Sequence, residues 1–293
     1  LALHARVVLC GAIAGYNDTV KPPGPSNYLN LIQQRASMTG FLAIDLEDPG
    51  LKSLARRFIS QYLKLTGDYQ GLELLNFYKA YRALVRAKVS LFSMPAEADP
   101  VQRATTLRQY RNYANLAESY STIPSRFMAI THGVSAVGKS HVAMRLVEAL
   151  GAIRLRSDVE RKRLFGEQTV PNDLQAGIYS ADASAATYTH LHEIAAVILR
   201  AGFPVVIDAT YLKRDQRDGA AKIAEATGAP FLILDCNAPQ AVIESWLALR
   251  QADKKDPSDA NLAVIEAQQA TREALTPEEI LCSKRVQTTE SGT

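Results

Sequence analysis

Eight residues, Gly133-Val134-Ser135-Ala136-Val137-Gly138-Lys139-Ser140, set two glycines, a lysine and a hydroxyl at the spacing G-x-x-x-x-G-K-S. The glycines let the backbone take positive φ and come close to a ligand, so successive amides can converge on a phosphate at a helix N-terminus. Lys139 then reaches the β- and γ-phosphates of ATP, and the Ser140 hydroxyl binds Mg²⁺. All eight residues, Gly133, Val134, Ser135, Ala136, Val137, Gly138, Lys139 and Ser140, are expected to hold the nucleotide.

Three carboxylates stand at the ends of expected strands: Asp158, Asp208 and Asp235. Asp208, after Pro204-Val205-Val206-Ile207, has the form of a residue that steadies Mg²⁺ or its water. Asp235 has the same local form, so the metal carboxylate is one or the other. Asp158 is placed to accept a proton from an attacking hydroxyl, or else to cap the helix expected over Val159 to Leu164. Phosphoryl transfer spreads negative charge over the equatorial oxygens and calls for cations that arrive as the site closes. Arg250, beside the polar loop that carries Lys254 and Lys255, is the expected lid residue. Arg161, Arg214 and Arg217 are further candidates for receiving an anionic substrate, or plain surface charges.

The elements that must position these residues alternate strand with helix. Phe127 to Ile130 reads as a strand before the glycine loop, and Val142 to Val147 as a helix after it. Strands follow at 152–156, 203–210 and 231–235, with helices at 179–200, 217–226 and 240–249. On the long helix, Tyr188, Leu191, Ala195, Ile198 and Leu199 form one apolar stripe. The pattern predicts an α/β fold, a parallel sheet covered by helices on both faces, with ligands outside the carboxyl ends of the strands. The earlier part reads differently. Lys21-Pro22-Pro23-Gly24-Pro25-Ser26 breaks regular structure, and irregular chain is expected to about residue 40. Helices are expected from Leu51 to Leu65, with Leu54, Phe58, Tyr62 and Leu65 as the stripe, and through Leu74, Phe77, Tyr78, Tyr81, Val85 and Val89. A third runs from Val101 to Tyr120. The boundary falls at Ile123-Pro124-Ser125, dividing an α-helical part, 1–122, from an α/β part, 123–293.

Composition narrows the partners. A net charge of +3 is too small to argue for nucleic acid or a membrane surface, and no run of 18 apolar residues predicts a span. The chain opens at Leu1 without a charged and then apolar leader, and is expected to be a fragment or processed chain of a cytoplasmic protein. Cys10, Cys236 and Cys282 lack paired spacing and read as free thiols. His190 and His192, two apart on a helix, face different ways and make no metal pair. His132, His141 and Trp246 read as packing residues.

Two resemblances go further. Phe41-Leu42-Ala43-Ile44-Asp45-Leu46, Thr66-Gly67-Asp68-Tyr69 and Tyr81 to Val89 resemble the C-terminal helical lobe of bacterial aminoglycoside phosphotransferase-like proteins, a lobe often fused to a P-loop kinase domain. That family's catalytic loop, H-G-D-x-H-x-x-N, would fall at the chain's start, where Ala2 stands for its aspartate and Val7 for its asparagine. The resemblance therefore implies an inactive remnant, with His4 outside any chemistry. From about Arg126 onward the chain is similar to the zeta-toxin and polynucleotide-kinase-like P-loop kinases, carried by Gly133 to Ser140, Arg156-Ser157-Asp158, Val206 to Thr210 and Arg250. This likeness implies that Asp158 deprotonates the acceptor hydroxyl and that Arg250 clamps the ATP phosphates from a lid. The expected whole is a P-loop NTPase parallel sheet flanked by helices and preceded by an α-helical N-terminal segment. Its expected activity is Mg²⁺-ATP-dependent transfer of the γ-phosphate to the hydroxyl of an unidentified small molecule. The alternative is a non-catalytic, ATP-binding regulatory module; a nucleic-acid 5′-hydroxyl kinase would need a more basic surface.

Overall fold

The computed structural model describes residues 49–121, 125–166, 180–252 and 262–289. The expected irregular start, Cys10, the first two residues of the expected hinge, Ile123 and Pro124, and the lid lysines lie outside those residues. Five parallel strands form one sheet in the order β2-β3-β1-β4-β5: β1 Met128–His132, β2 Ile153–Arg156, β3 Val205–Asp208, β4 Phe231–Asn237 and β5 Ser283–Gln287. Each right-handed crossover needs a helix to return the chain to the same edge, and the connecting helices lie on both faces. They are α4 Lys139–Leu150, α5 Ser157–Phe165, α6 Ala181–Arg200, α7 Arg214–Ala226, α8 Gln240–Ala252, α9 Leu262–Thr271 and α10 Pro277–Leu281. Before them come α1 Pro49–Thr66, α2 Leu72–Phe92 and α3 Pro100–Ser119. No helix of the described residues is long and apolar enough to cross a membrane.

The strands read as apolar runs because both faces are covered. Met128, Ile130, Val205 and Ile207 point to the face of α6 and α7, where the whole predicted stripe of α6 is buried with them. Ala129, Val206 and Leu234 point to the other face and pack with Ala143 of α4, Ile243 and Leu247 of α8 and Ile265 of α9. Strand β2 obeys the same alternation with one difference. Ile153 and Leu155 enter the first core, while Arg154 and Arg156 stand on the second face.

Helix α1 covers the β2 edge of the sheet, which would otherwise present unpaired amides. Its Leu63, with Tyr69 and Leu72 just beyond, belongs to the first core. Arg56 of α1 donates to the carbonyls of Glu148 and Ala149 at 2.7 and 2.9 Å, satisfying the open C-terminal end of α4. Tyr69 donates to the fully buried Glu160 of α5 at 2.7 Å. The helices α1 to α3 form where the spacing predicts them, but of the predicted stripes Tyr62 packs against the first core while most of the large apolar residues face outward. Leu54, Phe58, Leu65, Leu74, Phe77, Tyr78 and Tyr81 are exposed, and Ala55, Ala83, Ala87 and Ala117 are buried instead. Small side chains let α2 and α3 approach closely, and a pattern that counts bulk points to the wrong side.

Strand β5 was not foreseen. Ser283-Lys284-Arg285-Val286-Gln287 is a mostly solvated edge strand, whose basic residues give it no apolar run to be recognised by.

Candidate active site

The glycine loop spans the end of β1 and the first turn of α4, at the carboxyl edge of the sheet. Its shape depends on left-handed backbone. Gly133 has φ 137° and Gly138 φ 87°. A Cβ on Gly133 would stand 2.7 Å from the Cys236 carbonyl oxygen, and one on Gly138 2.9 Å from Thr288, so both positions need glycine for space as well as conformation. Ala136 also sits at φ 60°, a cost of about 1 kcal/mol or more that alanine accepts only where surroundings impose it.

Lys139, Ser140 and Asp208 lie close together at the carboxyl edge of the sheet. Lys139 is buried and donates to the Val134 carbonyl at 2.5 Å, which folds its ammonium over the loop. Ser140 donates to Asp208 Oδ2 at 2.7 Å, a pair of hard oxygens of the kind Mg²⁺ takes alongside phosphate and water. Asp235 is on the other side of β1 and is committed elsewhere. It accepts from Arg272 at 2.8 Å and from Asn237 at 3.0 Å. Among the described residues no group of three or more His, Cys, Asp or Glu could hold a metal by itself. The donor set fits a metal held mainly by nucleotide oxygens, with Ser140 and Asp208 completing its shell.

Asp208 is also the centre of a basic cluster. Arg154 donates to its Oδ2 through Nε at 3.0 Å and Nη2 at 2.7 Å, and Arg156 Nε lies 3.7 Å from the same oxygen. Burial alone would raise the Asp208 pKa, but Arg154, Arg156, the Ser140 hydroxyl and Lys139 together hold it below the usual carboxylate value. Asp208 is thus ionised wherever the protein is folded near neutral pH.

Asp158 lies in the first turn of α5. The cap of that helix is Arg156, with no side-chain capping bond, so the capping role considered for Asp158 is not the one it plays. Strand β3 separates β2 from β1, and Asp158 is therefore one strand further from the loop than adjacent strands would have put it. It still feels the charges of Asp208 and Lys139. Burial raises its pKa first and Asp208 adds to the rise, against the pull of Arg156, Arg161 and Lys139. A carboxylate tuned upward, beside cations, suits a proton acceptor.

Two further candidates resolve differently. Arg161 is buried and donates to Ser184 of α6 at 3.2 Å. Arg217 is almost fully buried and forks onto Glu279, at 2.6 and 3.1 Å, so it holds α7 to α10 rather than facing a ligand. Arg250 lies in α8, and its side chain is outside the described residues, as is the loop with Lys254 and Lys255.

Several residues around the loop carried no signal in the sequence. Gln268 of α9 accepts from the Ser135 amide at 2.7 Å. Arg272 donates to His132 Nε2 at 3.0 Å as well as to Asp235. His132 must then carry its proton on Nδ1, which donates to the Tyr211 carbonyl at 2.9 Å, and burial lowers its pKa to about 4. Arg154 and Arg156 were within reach of inference. Period-two alternation puts both on the α4 face of an apolar strand, where two buried guanidiniums require a carboxylate. Cys236 and Cys282 are free thiols, and burial pushes Cys236 up to about 12.

A model of the AAA domain family matches residues 128–275. Uncharacterized proteins of Mycobacterium tuberculosis and Mycobacterium bovis are 30% identical over 251 residues, 83% of this chain and 48% of theirs, so the chain spans about half the length of the curated relatives it matches. Among solved structures, a sugar kinase from Janibacter sp. aligns with TM-score 0.42 and 21% identity, over 56% of this chain and 87% of that one. A gluconokinase from Sinorhizobium meliloti gives TM-score 0.40 and 21% identity, over 57% and 85%. An APS kinase of Mycobacterium tuberculosis, in complex with AMPPNP and APS, gives TM-score 0.40 and 21% identity, over 57% and 91%.

Proposed function

The chain belongs to the AAA domain family, and from that premise we propose that it is a Mg²⁺-ATP-dependent kinase acting on a small-molecule hydroxyl. The observation that carries the reading is the Ser140–Asp208 hydrogen bond at 2.7 Å beneath a glycine loop with a buried lysine, with the upward-tuned Asp158 at the same strand edge. Mg²⁺-ATP, when bound, supplies an electrophilic γ-phosphorus. The loop amides and Lys139 orient the phosphates and offset the charge that grows on them. Ser140 and Asp208 are the residues that would hold the metal. Asp158 takes the proton of the acceptor hydroxyl as its oxygen attacks, and Arg250 closes over the phosphates from α8. Residues 1–122 are read as part of a phosphotransferase-like lobe, supported by the resemblance of Tyr81 to Val89, and the protein as cytoplasmic.

A second reading, the ATP-binding regulatory module, is favoured by the engagement of Asp208 with Arg154, which competes with a metal for the same oxygen. Equilibrium binding of ATP, measured beside turnover, separates the two. The kinase reading expects Lys139→Ala to weaken ATP binding and Asp158→Asn to leave it intact while abolishing transfer. Tight binding with no turnover against a broad pool of hydroxyl compounds, and indifference to Asp158→Asn, would establish the regulatory module instead.

A further inference from the structure

Helix α9 meets the rest of the fold along one line of side chains. Of its ten residues only Val264, Ile265 and Gln268 are shielded from solvent, wholly or in part. Ile265 is fully buried in the second core, the cluster that also takes Val134 and Val137 of the glycine loop. Gln268 comes three residues later and Arg272 seven, one residue past the helix end, so the three share a face. That face is turned to the glycine loop and the strand that leads into it.

Its two polar residues grip the loop at two points. Gln268 Oε1 accepts from the Ser135 amide at 2.7 Å, inside the loop. Arg272 donates from Nε to His132 Nε2 at 3.0 Å and from Nη2 to Asp235 Oδ1 at 2.8 Å. His132 is the last residue of β1, directly before Gly133, and Asp235 is its partner in register on β4. The backbone past the helix end is tied down as well, since the Glu273 amide donates to the Leu212 carbonyl at 2.9 Å. A loop of this kind needs such support. Amides that converge on one point repel one another, and Ala136 is kept at φ 60°. Ser135, whose amide Gln268 fixes, is the residue directly before Ala136. A loop already held in shape takes up phosphate without the ordering cost that a relaxed one meets.

We propose that Gln268 and Arg272 are positioning residues for the glycine loop: through the Ser135 amide and the His132 ring they hold it in the shape that receives a nucleotide's phosphates, without touching the nucleotide. This role rests on the reading of the glycine loop as the nucleotide site and needs neither a transfer step nor an acceptor. Because the grip acts on the loop as a whole, ADP and ATP depend on it alike.

The test uses the whole chain and the variants Gln268→Met and Arg272→Met. Methionine keeps the length and helix propensity of glutamine but offers only a weak sulfur acceptor. Hydrogen exchange at the Ser135 amide, followed by NMR, reads the grip with no nucleotide added. Gln268→Met should speed that exchange about tenfold or more, and Gln268→Glu, which keeps an oxygen at the same reach, should restore protection. ADP and the non-hydrolysable analogue AMPPNP are then titrated calorimetrically. Each methionine variant should bind both ligands about tenfold more weakly, and Gln268→Met should do so with the wild-type midpoint in urea unfolding. A variant that binds both nucleotides as the wild type does overturns the role of its residue. Weakening of AMPPNP alone by Gln268→Met places Gln268 on the γ-phosphate and overturns positioning. Unchanged exchange at Ser135 in Gln268→Met overturns the grip itself. If the wild type binds neither nucleotide, the reading of the loop fails and the role with it, while exchange at Ser135 still decides whether the grip exists.

Discussion

Replacing Arg217 by methionine distinguishes a structural cation from a substrate-binding one. The side chain is 1% exposed and donates to both oxygens of Glu279 and to the carbonyls of Tyr211, Leu212, Glu273 and Ala274. Methionine fills similar volume but satisfies none of these acceptors. Removing one partner of a buried ion pair costs about 3–5 kcal/mol. Glu279 keeps some solvent contact and retains its bonds to Thr276, which favours the lower end, about 3 kcal/mol. Urea unfolding followed by fluorescence of Trp246, the chain's single tryptophan, reads this directly. Arg217→Met/Glu279→Gln should lose less than the two single losses added together, because the second change removes the stranded carboxylate. ATP-analogue affinity of the folded variant should stay at the wild-type value. A loss below about 1 kcal/mol together with lost binding of anionic ligands would refute the structural assignment and return Arg217 to the site.

Gly138→Ala should abolish ATP binding, because the substitution strains a φ of 87° and meets Thr288. Adding Thr288→Ala should not restore it, since the backbone strain remains; calorimetry on both variants checks this. Stability should fall as pH drops from about 6.5 to about 4. The unfolded chain protonates His132 near its ordinary value, whereas the folded chain does so only near 4, so the loss is on the order of 3 kcal/mol and levels off below that pH. His132→Gln should flatten part of that slope in urea titrations across the range, and the similarly lowered His192 should account for more of it. Tyr69→Phe leaves the buried Glu160 short of a donor and should cost about 1–3 kcal/mol, measured by the same unfolding transition.

The nucleotide half of the molecule was legible because its signals are local and periodic. The glycine spacing, the apolar strands and the α6 stripe each satisfy a rule that needs only neighbouring residues. Ser140 and Asp208, 68 residues apart, could be paired because each stands at a recognisable edge of the fold. What escaped depends on contacts between distant elements or on small side chains. Gln268 reaches Ser135 from a helix with no marking residue, and β5 pairs with β4 through a sequence that is mostly polar. The α2–α3 contact rests on alanines, so bulk misled. The strand order, which places β3 between β2 and β1, could not be read at all. Arg217 was misjudged because a cation's burial is decided by its partner, and Glu279 lies 62 residues away.

The most direct test of the kinase account is Mg²⁺-dependent ATP consumption by the purified chain, wild type against Asp158→Asn, with and without a pooled library of hydroxyl metabolites. The account predicts turnover that the library stimulates and that vanishes in Asp158→Asn while ATP still binds. Stimulated turnover that survives in Asp158→Asn would contradict the role given to that carboxylate at the centre of the site.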